Sequence, residues 1–483
     1  MTLQAAAQAT CGELINCDES SRFAGVCTDS RGIKAGELFI ALRGEHFDGH
    51  DYVEAALAAG AAAAMVEAKW VEAHTKQRTK QRAKGDAEGE AEPLPLLVVA
   101  DTRLALGQFA ASWRSRFELP LIAVTGSNGK TTVKEMCAAI LREQARADGL
   151  DPALAVLATA GNLNNDIGMP LMLLQLNAGH HAAVIEMGMN HPGEIDTLTN
   201  IARPSVAVVT NAQRAHLAGL GSIEAVALAK GEIFAGLEDD GIAVINCDDA
   251  HAALWRELAG AHQVIGFSLD GAAAAEVTAE VTPLAFGSRL ALSTPAGAAA
   301  VELQLPGRHN ATNALAATAA CLAVGADLAA VVAGLAGYAG AKGRLQRQPA
   351  INGATLIDDS YNANPDSMRA AIGVLAALPG RKILVMGDMG EIGPAAAQFH
   401  DEIGGYAKSM GIDRLLAVGE QAATAVRNFD GGASHFKNVA ALIESLRGLL
   451  DAQTTVLVKG SRFMKMERVV EAIAAQRGDS DVA

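Results

Sequence analysis

No two of the six cysteines, Cys11, Cys17, Cys27, Cys137, Cys247 and Cys321, stand in a CxxC pair. The spacing of zinc ribbons and dithiol redox sites is therefore missing, and a reducing compartment fits best. No stretch approaches the roughly 18 apolar residues of a membrane span, and the opening MTLQAAAQATCGEL has no basic segment leading into an apolar core. Neither membrane insertion nor export is expected, and the expected location is the cytoplasm. Positive charge is in deficit: 39 Lys and Arg against 54 Asp and Glu leave a formal net charge of -15. A surface of that sign repels nucleic acid, whose binding needs clustered cations to displace counterions from phosphates. An anionic substrate must instead be held locally, by backbone amides, a helix N-terminus, a few cations or a metal.

What is present describes a globular chain of enzyme size. At 483 residues it exceeds what one core organises, and with 50% hydrophobic and 19% charged residues it can bury several. Three domains are expected, over residues 1–101, 102–338 and 339–483. The one compositional break is 75–93, TKQRTKQRAKGDAEGEAEP, where a basic run passes into an acidic one. It reads as a solvated surface insertion, because the acidic block would cancel the field of a basic arm. From Leu119 onward, short apolar runs ending in Gly, Asn or Asp alternate with amphipathic stretches, the pattern of a mainly parallel α/β sheet. LIAVTG, HAAVIEMG, SVAVVTN and GIAVIN are its strand candidates. After Gly343 a second series, TLIDDS, KILVMGD, RLLAVGE and TTVLVKG, predicts a further doubly wound α/β domain. No GxGxxG follows its strands, which argues against a dinucleotide-dependent dehydrogenase.

TGSNGKTT, residues 125–132, lies between the apolar run LIAV and the helical run VKEMCAAIL. Strand, glycine loop and helix form the context of a phosphate-binding loop. Gly126 and Gly129 let backbone amides turn toward phosphate oxygens, and the helix beginning near Lys130 points its positive end to the same place. Lys130 would reach the terminal phosphates and Thr131 would offer a hydroxyl to magnesium. The spacing departs from GxxxxGK[ST], since Val124 stands five residues before Gly129.

Magnesium-ATP chemistry needs hard ligands, and parallel sheets present such groups where strands end. Glu186 closes AAVIE and His216 follows SVAVVTN; each is either a ligand or an ordinary solvated or loop-capping side chain. Lys230, in EAVALAKGEIF, sits on an apolar helix face. Either its stem snorkels and its ammonium reaches water, or it is a chemically modified lysine.

Together these segments resemble the Mur ligases, the ATP-dependent amide-forming enzymes that build the peptide stem of peptidoglycan. The resemblance runs over residues 28–468. TDSR with GELFIALRGEHFDGHDY is similar to the family's UDP-binding segment, and GNLNNDIGMPL, EMGMNHPGEI, LPGRHNATNALAA, DDSYNANPDSM and VLVKGSRFMKMERVV resemble its dipeptide-adding branch. The DNPR tetrapeptide of the diamino-acid-adding branch is absent, and TDSR weighs against a folylpolyglutamate synthase. Asp166 and Met169 depart from the pattern within the GNLNN segment.

The resemblance implies a small α/β UDP-binding N-terminal domain, a central P-loop-type ATPase domain and a C-terminal Rossmann-like domain. It implies ATP-driven addition of D-alanyl-D-alanine to UDP-N-acetylmuramoyl-tripeptide through an acyl phosphate, by a monomer using magnesium. Lys130, Glu186, His216 and Lys230 would be the catalytic set. Thr125, Gly126, Ser127, Asn128, Gly129, Lys130, Thr131, Thr132, Asn310, Asn313, Arg344 and Asp359 would hold ATP. Thr131, Glu186, His216 and Lys230, the last as a carbamate, would hold metal. Ser30, Arg31, Asn162, Asn164, Asn165, Tyr361, Asn362 and Ser461 would face the other substrates. A nucleotide-gated regulatory protein is the alternative of a different class, against which the joint presence of Lys130, Glu186, His216 and Lys230 weighs.

Overall fold

In the computed structural model, which describes residues 1–18, 20–83 and 93–475, every apolar run read above as a strand forms one. The described chain divides into two units. The first joins Met1–Leu119 to Thr159–His181 and Thr197–Arg203, and the second holds Pro120–Ala158, Ala182–Asp196 and the described chain from Pro204 onward.

The first unit carries a five-stranded sheet in the order Glu13–Ile15, Leu96–Val99, Ala63–Glu67, Leu38–Ile40, Val26–Cys27, parallel except for its first pair. Phe39, Val53, Ala64, Val66 and Leu96 pack its core. The helix Thr102–Arg114 starts where the Asp101 carboxylate accepts from the amides of Arg103 and Leu104, a cap that satisfies otherwise orphaned donors. Trp113 donates to the Leu176 carbonyl at 3.0 Å, and the buried Arg114 guanidinium donates to the carbonyls of Ala202, Phe117, Leu119 and Arg203. A buried cation must fill its donors. Thr102 Oγ1 donates to the Ala41 carbonyl at 2.8 Å, which ties the start of the same helix to the sheet-bearing part of the unit. The helix Ala68–Ala83 carries the basic half of the charged insertion, and residues 84–92 lie outside the described residues.

The second unit holds two sheets. Nine strands run in the order Gly297–Leu303, Ser288–Thr294, Val277–Pro283, Gln263–Ser268, Ile242–Asn246, Val206–Val209, Leu121–Thr125, Ala182–Glu186, Val156–Ala158. The first three pair antiparallel and the rest parallel. Leu121–Thr125 comes first in sequence among the parallel strands yet sits inside the sheet, with later strands on both sides. That makes its carboxyl end a topological switch point, where open α/β sheets bind ligands. The six-stranded sheet runs Gln346–Pro349, Thr355–Asp359, Thr454–Lys459, Arg381–Met386, Arg414–Val418, Ala433–Phe436, with only the first strand antiparallel. Apolar clusters cover both its faces, so strands such as ILVM and TVLV need no polar side. Among the described residues no helix is long and apolar enough to cross a membrane.

Candidate functional site

The loop after Leu121–Thr125 is built from glycine geometry and side-chain clamps. Gly126 has φ +143° and Gly129 φ +85°, regions where an L side chain is strained. A Cβ on Gly126 would lie 1.9 Å from Thr210 Oγ1, and one on Gly129 2.3 Å from Asn313 Oδ1. Neighbours can approach this closely only because both residues are glycine. Thr125 Oγ1 donates to the Met187 carbonyl at 2.8 Å. The Asn128 amide donates to Asn211 Oδ1 at 2.9 Å, while Thr210 Oγ1 and Asn211 Nδ2 donate to the Asn128 carbonyl at 2.7 and 3.0 Å. Ser127 Oγ accepts from the Gln213 amide at 2.9 Å. The helix Lys130–Ala147 begins directly after Gly129, so its unsatisfied first-turn amides and positive dipole end face the loop.

Lys130 Nζ folds back onto the Gly126 carbonyl at 2.7 Å. Burial pulls its ammonium below the ordinary lysine range, opposed by Glu186. Thr131 Oγ1 donates to Glu186 Oε2 at 2.9 Å, and Glu186 is 3% exposed. Lys230 is fully buried, and its Nζ has no hydrogen-bond partner. Burial drives that amine well below the usual lysine value; Lys130 adds to the shift, and Glu186, Glu232 and Glu194 oppose it. The snorkelling alternative is thereby removed, because the ammonium position does not reach water. His216, at φ +57°, turns Nδ1 toward Glu391 Oε2 at 3.1 Å. Burial lowers its pKa, the Glu391 contact opposes this, and Lys130 and Lys230 push it further down. The four residues picked out as a catalytic set thus share one electrostatic neighbourhood.

Beside the loop opens a cavity of about 270 Å³, lined by Asn128, Gly129 and Thr132 on one wall and by Arg344, Asp359 and Lys459 on another. Asn310 and Asn313 also line it; Asn310 donates to the Pro306 carbonyl at 2.8 Å and accepts from Asn313 at 3.3 Å. Arg344 stacks its guanidinium 4.2 Å from the Tyr361 ring centroid, and its Nη2 reaches Thr131 Oγ1 at 3.5 Å. Asp359 accepts from Lys459 Nζ at 2.6 Å and from the Leu345 amide at 3.2 Å. Burial lowers Lys459 while Asp359 opposes the shift. His309, on the same wall as Asn310, is held at about 4 by burial, against the Asp359 charge. A volume of this size, with a glycine loop at one side and buried amides and charges around it, suits a nucleotide.

Residues 22–114 match the Mur ligase family catalytic domain, 124–321 the Mur ligase middle domain and 343–462 the Mur ligase glutamate ligase domain. The chain belongs to the Mur ligase family. A UDP-N-acetylmuramoyl-tripeptide--D-alanyl-D-alanine ligase of Escherichia coli (strain K12) is 42% identical over 450 residues, 93% of each chain. The enzyme of the same name from Haemophilus influenzae (strain ATCC 51907 / DSM 11121 / KW20 / Rd) is 38% identical over 464 residues, 94% of each. A crystal structure of MurF from Acinetobacter baumannii superposes with a TM-score of 0.85 at 38% identity, covering 97% of this chain and 98% of that one. MurF from Thermotoga maritima in complex with ADP shares the fold, with a TM-score of 0.77 at 24% identity and coverage of 94% and 97%.

Whether this Mur ligase fits magnesium turns on its donors. Among the described residues no group of three or more His, Cys, Asp or Glu stands together as a cage. Magnesium needs none: it keeps several waters and takes one or two carboxylates alongside substrate phosphates. The Thr131 hydroxyl and Glu186 carboxylate are hard donors in hydrogen-bond contact at the loop, and they fit. Glu391 holds His216 Nδ1 and so leaves Nε2 as the ring atom able to bind, the usual outer-shell arrangement of a ligating histidine.

The other residues expected at substrates fall in two places. In the first unit of the Mur ligase, Arg31 is exposed and forks onto Asp29, with Nε and Nη2 at 2.9 and 2.7 Å; this contact holds the Asp29 carboxyl at about 2, and Asp29 caps the turn containing Ser30. Asn165 Oδ1 accepts from the Gly168 amide at 2.8 Å, and the Asn164 amide donates to the Asn162 carbonyl at 2.8 Å. Asp166 is held by Arg103, so this departure from the family pattern has a partner. In the second unit, Tyr361 lies under Arg344 and Asn362 is exposed. Ser461 Oγ is engaged by the protein, donating to Ala363 at 3.2 Å and accepting from the Gly390 amide at 2.6 Å. Sequence reasoning missed Asn211, Gln213, His309 and Lys459. Lys459 ends its strand as Asp359 and Glu186 end theirs, and the same strand-end rule would have found it.

Proposed function

We propose that this chain joins D-alanyl-D-alanine to UDP-N-acetylmuramoyl-tripeptide at the expense of ATP, through an acyl phosphate. The observation that carries the reading is a glycine loop whose Asn128 and Gly129, with Thr132 of the following helix, line a cavity of nucleotide size, while Lys130, the Thr131–Glu186 pair and buried Lys230 gather around the start of that helix. The names of the relatives at 42% and 38% identity support the dipeptide as the incoming amine. Ser30, Arg31, Asn162, Asn164 and Asn165 are assigned to the UDP-sugar-peptide, and Tyr361, Asn362 and the Ser461 backbone region to the dipeptide. Domains at 1–101, 102–338 and 339–483 divide these tasks.

A carboxylate acylates nothing at neutral pH, because oxide would have to leave. A carboxylate oxygen of the tripeptide therefore attacks the γ-phosphorus, the bond to the β-phosphate oxygen breaks, and ADP departs. The dipeptide's neutral amine then attacks the carbonyl carbon, and the tetrahedral intermediate gives up a proton from nitrogen and expels phosphate, which carries that proton away as hydrogen phosphate and leaves an amide. Bringing two anions together is chiefly a matter of position and charge, which Lys130 and the loop amides supply. Thr131, Glu186 and His216 Nε2 would hold magnesium, whose charge offsets that of the phosphate oxygens. Lys230 suits carbamylation: only a neutral amine attacks carbon dioxide, burial favours the neutral form, and the carbamate would supply the anionic oxygens that an unpaired amine lacks.

The test is a matrix assay reading ADP release, pairing UDP-dipeptide and UDP-tripeptides with D-alanine, D-alanyl-D-alanine and diaminopimelate. ADP should form fastest with a UDP-tripeptide and D-alanyl-D-alanine. Preference for UDP-dipeptide with diaminopimelate would assign the chain to the neighbouring branch instead.

A further inference from the structure

Residues 211–216 touch the phosphate loop on one side and the helix Pro365–Ala377 on the other. Toward the loop, Asn211 Oδ1 accepts from the Asn128 amide, and Gln213 bonds both Ser127 Oγ and, through Oε1 at 2.6 Å, Asn128 Nδ2. Toward the helix, Arg214 forks onto Asp366 Oδ1 with Nε at 3.0 Å and Nη2 at 2.6 Å, and its own amide donates to Asp366 Oδ2 at 2.8 Å. The same guanidinium reaches Glu402 at 2.8 Å, and Arg369 shares Glu402 at 3.1 Å. Asn364, which caps that helix, also donates to Asn128 Oδ1 at 2.8 Å.

Isolated surface ion pairs contribute little, since solvent screens them and side-chain entropy opposes them. This one differs on three counts. Arg214 is only 21% exposed and Asp366 24%, two guanidinium N–H groups converge on Oδ1, and the backbone amide takes Oδ2. Charge-assisted bonds that engage both oxygens of one carboxylate fix direction as well as distance. The acceptors sit on the part of the chain that supplies Arg344, Asp359 and Lys459 to the cavity, while Gln213 and Asn211 shape the wall that supplies Asn128 and Gly129.

We propose that Arg214, Asp366 and Glu402 form a latch that couples seating of the carboxy-terminal domain to the shape of the phosphate loop, making them positioning residues for ATP capture. The inference rests on the ATP-dependent reading above. With the latch cut, the fraction of molecules holding both cavity walls together falls. Apparent nucleotide affinity falls by the same fraction, while chemistry within the assembled complex is unaltered.

The experiment measures binding of the β,γ-methylene analogue of ATP to the full chain by calorimetry, together with steady-state kinetics. Arg214→Ala and Asp366→Ala should each weaken analogue binding about tenfold and raise KM for ATP similarly, with kcat changed by less than about twofold. The double variant should be no weaker than the weaker single, and Arg214→Lys, which keeps the charge and loses the fork, should recover part of the loss. Arg289→Ala, which removes an exposed pair with Glu302, should leave the affinity unchanged. If Arg214→Ala does not fold, Glu402→Gln, whose carboxylate accepts from Arg214 and lies outside the cavity lining, carries the same expectation. Unchanged affinity in these variants, additive losses in the double variant, or a fall in kcat at constant KM would overturn the latch. A wild-type chain that binds the analogue yet makes no amide would overturn the ligase reading instead, with the affinity series still deciding the latch.

Discussion

Replacing Gly126 with alanine tests whether the loop geometry, rather than its mere presence, holds the nucleotide. The new Cβ would sit 1.9 Å from Thr210 Oγ1 and 3.2 Å from the Asn211 amide nitrogen, at a φ of +143°. Backbone strain of this kind costs about 1–3 kcal/mol. Thr210 must also swing away, which breaks its 2.7 Å bond to the Asn128 carbonyl. A bond of that type contributes about 1 kcal/mol net. The loop conformer that turns amides toward phosphate is therefore disfavoured by about 3 kcal/mol, equivalent to roughly a 150-fold loss of affinity. Calorimetric titration with a non-hydrolysable ATP analogue reads the loss directly. Gly149→Ala is the control: its φ is +77°, but nothing lies within 4 Å of the added Cβ. It should lower stability by about 1–2 kcal/mol through the left-handed backbone alone and leave nucleotide affinity intact. Equal affinities for wild type and Gly126→Ala would refute the reasoning, as would equal losses in the two variants.

Lys130→Ala should lower turnover by roughly 100-fold or more in the amide-forming assay, because a preorganised cation at developing phosphoryl charge is lost. Near-native turnover would contradict the assigned role of this loop. Lys230→Ala should be inactive and regain activity with added short carboxylic acids, and the native chain's mass in high bicarbonate should rise by one carbon dioxide. Failure of both would count against a carbamate. His309 makes a pH prediction whose sign follows from its depressed value of about 4. The unfolded chain takes up a proton near pH 6.5, the folded chain only near 4, so stability falls as pH drops through that interval. Denaturation midpoints for His309→Gln should fall less steeply than wild type between pH 6.5 and 4, and parallel curves would remove this group as a cause.

Legibility in the sequence followed burial on both faces. LIAV, AAVIE, VAVV and ILVM are continuous apolar runs because parallel strands are covered above and below, and each stops at a polar or small residue that marks the functional edge. The antiparallel strands Val277–Pro283, Ser288–Thr294 and Gly297–Leu303 were not read. Their exposed positions mix Thr282, Ala291, Ser293, Ala298 and Ala300 with Glu280, Arg289 and Glu302, and the small residues blur the alternation; in Ser288–Thr294 buried and exposed residues alternate strictly through its first six positions. The two-residue strand Val26–Cys27 is too short to leave a pattern. Glu186 and Asp359 were legible as strand ends, whereas Asn211, Gln213 and Arg214 lie on a loop whose role depends on partners 83 to 188 residues away. Lys230 was ambiguous for a reason of principle: a helical lysine on an apolar face snorkels or is buried according to what lies beyond its tip, and no local pattern encodes that.

The most direct measurement of the account follows oxygen. With UDP-tripeptide labelled by oxygen-18 in its terminal carboxyl, incubated with ATP and D-alanyl-D-alanine, the acyl-phosphate route transfers one labelled oxygen to inorganic phosphate for each amide formed. Mass analysis of the released phosphate should therefore show one label per turnover. Amide formation with unlabelled phosphate would contradict activation of the carboxylate at this loop.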